Sequence, residues 1–497
     1  RRALGSGGGA LARLVLVETL LLSAVGGGVG LALASAVTSV LSGMEVQVLA
    51  ALGPLALDPT VFAFTAGVTL ATAFLFGTGP MLRALSSEPG AVLRDAGNRG
   101  GASRFGGRLR AGLVAAEVAL ALLLLVGVGA TLRSFWQLTS VDPGFEPEGV
   151  LAASFELPAQ GYGGAERTAF YRQLVERVRG LPGVEEAGLT YALPLEGTVW
   201  SASFDRVDPR PDDPDVPLGG NMRPVSPGYF RAMGIELVEG RDLRPSDGPG
   251  TAPVVVVDRA VAERAWPGRS PLGERITLQA FSGAAPATVV GVVGDVRDQG
   301  LAQPGSGHVY FPIYQRPMRR SVLVVRGTRA PLSLAPAVRR AIREADSRIP
   351  VFQLQALGDH VARTVAGPRL GLVLVTGFGV VALLLAAVGI YGVLSYSVAR
   401  RTAEMGTRIA LGAEPRRVVW LVVRQVMGMW AWGTAAGLLA AFLLASSLRA
   451  ALYRADPWSP ATVLTAAFVL GAVALVSSLV PAWRAASVDC VEALRTE

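Results

Sequence analysis

The chain contains no lysine; all 46 of its basic residues are arginine. ATPases of the P-loop type need a lysine to reach the β and γ phosphates, so these 497 residues cannot supply that chemistry themselves. Cysteine and histidine are nearly absent as well. With Cys490 alone, no disulfide can brace any domain within the chain. His308 and His360 with one distant cysteine make no zinc cluster, and each histidine is expected to be a surface or capping residue. Ser, Asp and Glu show no nucleophile or paired-acid pattern, so no catalytic, cofactor-binding or metal-binding residue is expected, and an enzyme anchored in the membrane ranks last among the function classes.

What the chain has in excess is apolar sequence, 51% of its residues. Six runs, 14–38, 59–82, 111–135, 370–398, 418–446 and 460–482, are long enough to span a bilayer, which takes roughly 20 mostly uncharged residues. Buried helices of a soluble core rarely run so long without a polar face. The expected fold is therefore an α-helical polytopic membrane protein with six transmembrane helices and one large α/β or α+β domain, residues 139–368, which has room for two lobes. In that domain Phe170, Leu174 and Val178 recur every four residues and predict a helix over Thr168–Arg179. Val254–Val257 and Val289–Val293 read as buried strands. Pro209–Pro217, with Asp212, Asp213 and Asp215, reads as a solvated loop.

The two ends repeat each other. Shifted by 407, Arg1, Ala3, Leu4, Gly5, Gly26 and Gly30 fall on Arg408, Ala410, Leu411, Gly412, Gly433 and Gly437. Shifted by 401, Pro80, Arg83, Ala84, Ser86, Leu93 and Arg94 fall on Pro481, Arg484, Ala485, Ser487, Leu494 and Arg495. The offset changes in a short connection, where insertions are tolerated, and the chain carries two copies of one membrane unit. Gly26, Gly30, Gly433 and Gly437, with Gly377, Gly389 and Gly392, are spaced for close helix packing in lipid. Glu18 and Glu117 lie near the ends of their spans, placed to snorkel, cap a helix or contact a neighbour.

Arginine orients the spans. Residues 83–110 carry six arginines and residues 400–417 carry five, whereas the loop from Thr38 to Asp58 carries none. The positive-inside rule makes the arginine-rich loops cytoplasmic and places 139–368 outside the cytoplasm; the loop with Arg449 and Arg454, beside Asp456, is a mild exception. Net charge divides as +4 for 1–138, −1 for 139–368 and +5 for 369–497, so the basic excess belongs to the membrane ends. A topology signal explains it better than nucleic acid binding, which is not expected. Residues 95–110, including the stretch NRGGASRFGGR, are expected to be a flexible cytoplasmic linker between the half-unit 1–94 and the span at 111–138.

The segment Arg400–Ala413 reads RRTAEMGTRIALGA and resembles the RRxxEIGxRxALGA signature of MacB/FtsX-type ABC transporter permeases. PAWRAASVDCVEALR, from Pro481 to Arg495, is similar to the PAxRAAxxDPxEALR ending of that family, with Cys490 where proline is usual. VSPGYF (Val225–Phe230), GIELVEGRD (Gly234–Asp242) and VVGVVGDV (Val289–Val296) resemble its large extracytoplasmic domain.

The resemblance implies a permease with one span, an external domain and three further spans. The signature forms a coupling helix against a separate ATP-binding subunit. Residues 109–497 match this plan, as span 111–138, a MacB-like periplasmic core domain 139–368 and an FtsX-like permease domain 369–497 with coupling segment 400–417. Residues 1–94 match its last two spans and tail, so the chain resembles a duplicated permease of MacB-like kind, N-terminally incomplete; it begins with Arg and shows no signal peptide. Arg401, Glu404 and Arg408 would pair with charges of an ABC ATPase homodimer. Met405, Gly406, Ile409, Leu411 and Gly412 complete the coupling surface, with Arg1, Ala3, Leu4 and Gly5 as its first-repeat counterpart. The chain itself would need no cofactor, ATP being bound by the ATPase. Its other partners would be the lipid bilayer and a periplasmic adaptor or outer-membrane component. The expected setting is the bacterial inner membrane, multi-pass. Its expected function is transmission of ATP-driven motion to the external domain for export; the alternative is a membrane regulator that controls a cell-wall hydrolase or signalling partner by the same stroke.

Overall fold

The computed structural model describes residues 8–42, 58–86, 102–197, 200–211, 213–214, 216–279, 285–303, 305, 307–400, 414–451 and 458–486. They divide into two compact units, Trp136–Ala366 and the remainder, Arg1–Phe135 with Gly367–Glu497.

The second of these units is helical. Its helices are α1 (Gly8–Ser42), α2 (Pro59–Ser86), α3 (Ala102–Thr139, which crosses the boundary), and, after the other unit, α9 (Ala366–Arg400), α10 (Pro415–Ala451) and α11 (Pro460–Ala486). Valines at 114, 118 and 126 of α3 pack with Ile390 and Leu394 of α9, Val422 and Val426 of α10, and Leu470 of α11. The outer faces stay apolar: Leu120, Phe378, Leu385, Trp432, Phe442 and Phe468 are all more than half exposed. So wide an apolar rind is covered at no cost only by lipid. Thr72 and Thr131 return their hydroxyls to the carbonyls of Val68 and Gly127, which satisfies them inside the helix.

Five helices are long and apolar enough to cross a membrane among the described residues: Leu16–Val40, Arg110–Thr139, Ala366–Ala399, Arg416–Leu444 and Pro460–Ala486. The sixth expected span, 59–82, is not among them: α2 lies there, and its apolar stretch, Pro59–Leu75, is shorter. The linker expected over 95–110 is helical from Ala102 onward. A helix already nucleated by a long apolar span extends one hydrogen bond at a time, and that propagation carries through Gly106 and Gly107.

The unit 136–366 has two lobes on one continuous sheet. In the first, β1 (Val150–Glu156), α4 (Gly164–Arg179) and β2 (Val184–Thr190) are answered late in the chain by β10 (Arg320–Gly327), α7 (Pro331–Ala345) and β11 (Val351–Ala356). The order is β11-β1-β10-β2 with every pair antiparallel, the split β-α-β arrangement. Both helices lay an apolar stripe on the sheet: Phe170, Leu174 and Val178 as expected, and Leu334, Val338 and Ile342 of α7, around Phe155, Leu323 and Val325.

The other lobe is a closed ring of β4 (Gly219–Val225), β3 (Ser201–Arg206), β7 (Arg275–Leu278), β8 (Ala287–Val293), β6 (Val254–Asp258) and β9 (His308–Pro312), with β9 returning to β4 in parallel. Closure leaves these strands no free edge. The β-branched runs at 254–257 and 289–293 are strands here, as expected, packed with Phe204, Trp266, Ile276 and Phe311. Short helices α5 (Tyr229–Met233) and α6 (Arg259–Ala265), strand β5 (Leu237–Gly240), and α8 (Leu357–Thr364) before α9 complete the unit. The loop 209–217 is not wholly solvated: Asp213 is buried to 5% exposure between Arg206 and Arg269.

Candidate functional site

The coupling segment, Arg401, Glu404, Met405, Gly406, Arg408, Ile409, Leu411 and Gly412, lies outside the described residues, as does its counterpart Arg1, Ala3, Leu4 and Gly5. The structure describes the helices on either side of 401–413. α9 runs up to Arg400 and α10 leaves at Pro415, and both pack on α3. Toward that end the Arg110 guanidinium of α3 sits 4.0 Å from the ring centroid of Tyr396 on α9, a cation–π contact.

Glycine sets the distance between α10 and α3. A methyl added at Gly433 would come within 2.5 Å of Val118 Cγ1 and 2.8 Å of the Ala115 carbonyl, and one at Gly437 within 2.7 Å of the Ala119 carbonyl. Backbone therefore lies against backbone over a full helical turn, the packing device of helices in lipid. On α9 the bare backbone of Gly389 receives the Glu117 carboxylate of α3, so Glu117 makes a contact to a neighbour, while Gly377 and Gly392 meet nothing within 4 Å.

The first repeat behaves differently. Gly26 and Gly30 meet nothing within 4 Å, so the packing expected of them is not made among the described residues. Their equivalents Gly433 and Gly437 pack on α3, and no described helix occupies the corresponding place beside α1. The contacts between α1 and α2 fall instead at Gly27, which abuts Thr69, and Gly77, whose added methyl would be 3.0 Å from Thr19 Oγ1.

His308, expected at the surface, is fully buried in the barrel. Its Nδ1 donates to Asp258 Oδ2 at 2.9 Å and its Nε2 to Asp298 Oδ2. Both acceptors are carboxylates, so both ring nitrogens carry protons and the ring is an imidazolium. Asp298 also pairs with the buried Arg223 and accepts from Asn221 Nδ2 at 3.2 Å. Asp258 Oδ1 accepts the Val261 N–H at 2.9 Å and so caps α6. Four segments meet at this one ring: β4, β9, the β6–α6 junction and the loop after β8. Burial alone would raise the Asp298 carboxyl, but the His308 hydrogen bond and the Arg223 charge hold it down at about 2. Burial likewise disfavours the charged His308, and hydrogen bonds to Asp258 and Asp298 more than offset this, so its pKa is raised. The ring is closed to solvent and has no room for a substrate; its work is structural. His360 is half-buried and bonds the Pro194 carbonyl at 2.8 Å.

A bundle of long apolar helices carrying a separately packed α+β unit defines a multi-pass membrane protein with a large extracytoplasmic domain. Residues 112–345 match the MacB-like periplasmic core domain, and residues 376–489 match the FtsX-like permease C-terminal region. The chain belongs to the MacB/FtsX-type ABC transporter permeases. A macrolide export ATP-binding/permease protein MacB of Hahella chejuensis is 27% identical over 296 residues, 57% of this chain and 44% of that protein. The probable syringafactin export ATP-binding/permease protein SyfD of Pseudomonas syringae pv. tomato is 27% identical over 294 residues, 56% of this chain and 42% of its own length. The chain thus spans less than half the length of these relatives. The periplasmic region of MacB from Actinobacillus actinomycetemcomitans aligns over 46% of this chain and 97% of that one, at 15% identity and a TM-score of 0.31.

Proposed function

We propose that the chain is the permease of an ABC export system in the bacterial inner membrane. It would cross the membrane six times and pass the stroke of a separate ATPase homodimer to its extracytoplasmic domain, binding no cofactor itself. The observation that supports this most directly is the match of 376–489 to FtsX-like permeases, because it takes in most of α9, all of α10 and the segment 401–413 between them. A push on that segment reaches two helices at once, and both lean on α3 along glycine-narrowed seams that leave little slack. Arg401, Glu404 and Arg408 then face the ATPase, with Met405, Ile409 and Leu411 as apolar contacts and Gly412 closing the segment. The names of the two relatives couple ATP binding to export, which favours export over a purely regulatory role.

Glu404 and Arg408 stand four apart and share a face on a helix. An exposed pair of that kind contributes about 0.3–0.5 kcal/mol, so reversing one charge leaves folding nearly untouched, whereas at an interface the loss is several times larger. Glu404→Arg and Gly406→Trp are expected to leave the chain inserted and stable while abolishing association with the ATPase. Co-purification of the ATPase with the tagged permease measures this. Undiminished complex formation and transport by both variants would reduce 401–413 to a lipid-surface helix.

A further inference from the structure

Helices α1 and α2 come close at two levels, Gly27 against Thr69 and Gly77 against Thr19 and Leu16. Beside that seam runs a groove of about 220 Å³, lined on one side by Arg13, Leu16 and Leu20 of α1 and on the other by Leu70, Ala73 and Phe74 of α2. Each set keeps the spacing of three, four or seven residues that puts side chains on one helical face. Ala73 is buried and forms the floor, because its side chain stops at one carbon; Leu20 and Phe74, 43% and 68% exposed, stand up as walls. Apart from Arg13 the lining is wholly apolar.

Arg13 is exposed and stands three residues, about 4.5 Å of helix, before Leu16, where the apolar span opens. That is headgroup depth. Glu18, the nearest acid in sequence, lies five residues on and therefore about 140° around the helix, away from the groove. Arg13 makes no salt bridge among the described residues. The arginine-rich stretch 83–110 follows α2 at the same end of the hairpin, which puts that end on the cytoplasmic side. The cytoplasmic leaflet is the one that carries anionic lipid.

We infer that this groove holds one anionic phospholipid of the cytoplasmic leaflet, with its phosphate on Arg13 and one acyl chain lying between α1 and α2 over Ala73. The apolar lining alone would not select it. A chain that leaves bulk lipid for the groove gains no hydrophobic energy, since lipid tails are as apolar as leucine. Charge does the selecting: one arginine at the membrane surface favours an anionic headgroup over a neutral one by roughly fivefold. The groove adds position, because only a chain seated on Ala73 brings its headgroup to Arg13. The site depends on α1 and α2 lying in the membrane and on nothing in the segment 401–413, so its failure and that of the coupling segment are read separately.

The test places the full chain in vesicles of phosphatidylethanolamine and phosphatidylglycerol. Each lipid in turn carries a photoreactive diazirine on one acyl chain, and labelled peptides are mapped by mass spectrometry. Leu20, Leu70 and Phe74 are expected to take roughly fivefold more label from the glycerol lipid than from the ethanolamine one. Phe378 and Leu385, exposed on α9, report ordinary boundary lipid and should take both equally. Arg13→Gln should bring the two lipids level on the hairpin, and Arg13→Lys should keep the preference. Ala73→Leu raises the floor of the groove and should abolish the preference with Arg13 intact. Equal labelling of the hairpin by both lipids in the parent chain would overturn the site, and so would a preference that survives Ala73→Leu. Label on α9 but none on α1 or α2 would overturn it too, by showing that protein covers the groove. Absence of label from all three helices would remove the membrane itself, and the site with it.

Discussion

His308 shows how one side chain can hold a barrel together and how little of that is legible beforehand. Sequence marks it only as a polar residue opening an apolar run, HVYFP, two positions before a buried tyrosine. Asp258 is 50 residues away and Asp298 is 10, and only the pairing of β6 with β9 and the fold of the loop after β8 bring them to the same ring. Removing the ring leaves the buried Asp258 carboxylate with no cation and Asp298 with Arg223 alone, and breaking a buried charge cluster in this way costs about 3–5 kcal/mol. The sign of the pH dependence follows from the two shifts. His308 has a raised pKa, so its contribution is complete below the ordinary imidazole value of about 6.5 and fades as pH climbs through the folded value. Asp298 is depressed to about 2, so its contribution is complete above the ordinary carboxylate range and fades as pH falls through the acid range. Between those limits the external domain is expected to be most stable relative to a His308→Gln chain. Thermal unfolding of both proteins from pH 4 to pH 9 should show the gap closing on the alkaline side. A gap that stays constant across that range would mean that His308 is neutral in the folded protein.

The long helices were plain from apolar length, and the α4 stripe and the valine strands from their periodicity. The contacts of the helices were not. Equivalent glycines at offset 407 suggested equal roles for Gly26 and Gly433 and for Gly30 and Gly437, yet a glycine packs only where a neighbour comes close, and neighbours are a property of the assembled bundle. The same reason hid Glu117, whose contact with Gly389 depends on how α3 and α9 cross. Gly433→Leu must push Val118 and the Ala115 carbonyl away, overpacking that costs about 1–3 kcal/mol. Gly26→Leu meets open space. Expressed in the same host and heated in detergent, the first variant should aggregate several degrees below the parent on size-exclusion chromatography, and the second should match it. Equal loss from both would show that the face of α1 carrying Gly26 is also tightly packed in the folded protein.

Topology is set by the distribution of arginine over the entire chain. The two arginine-rich stretches, 83–110 and 400–417, sit at the same ends of their respective spans, and the extracytoplasmic domain has almost no net charge to oppose them. Moving charged loops across a bilayer is expensive, so the side on which they stay fixes the side on which residues 136–366 emerge. Cys490 is the only native thiol, which makes labelling clean once it is replaced by serine. Ser270 is exposed in the domain 136–366, and Ser103 precedes the first apolar turns of α3, so the two positions bracket one crossing by one helix. In a Cys490→Ser background, Ser270→Cys should react with an impermeant maleimide on intact spheroplasts, whereas Ser103→Cys should react only after the membrane is opened. α3 is unbroken from Ala102 to Thr139 and carries no charged residue between Glu117 and Arg133, so it cannot return to the side it left. Labelling of both cysteines from the same side would therefore mean that α3 does not cross, and the coupling of a cytoplasmic push to an external domain would lose its physical path.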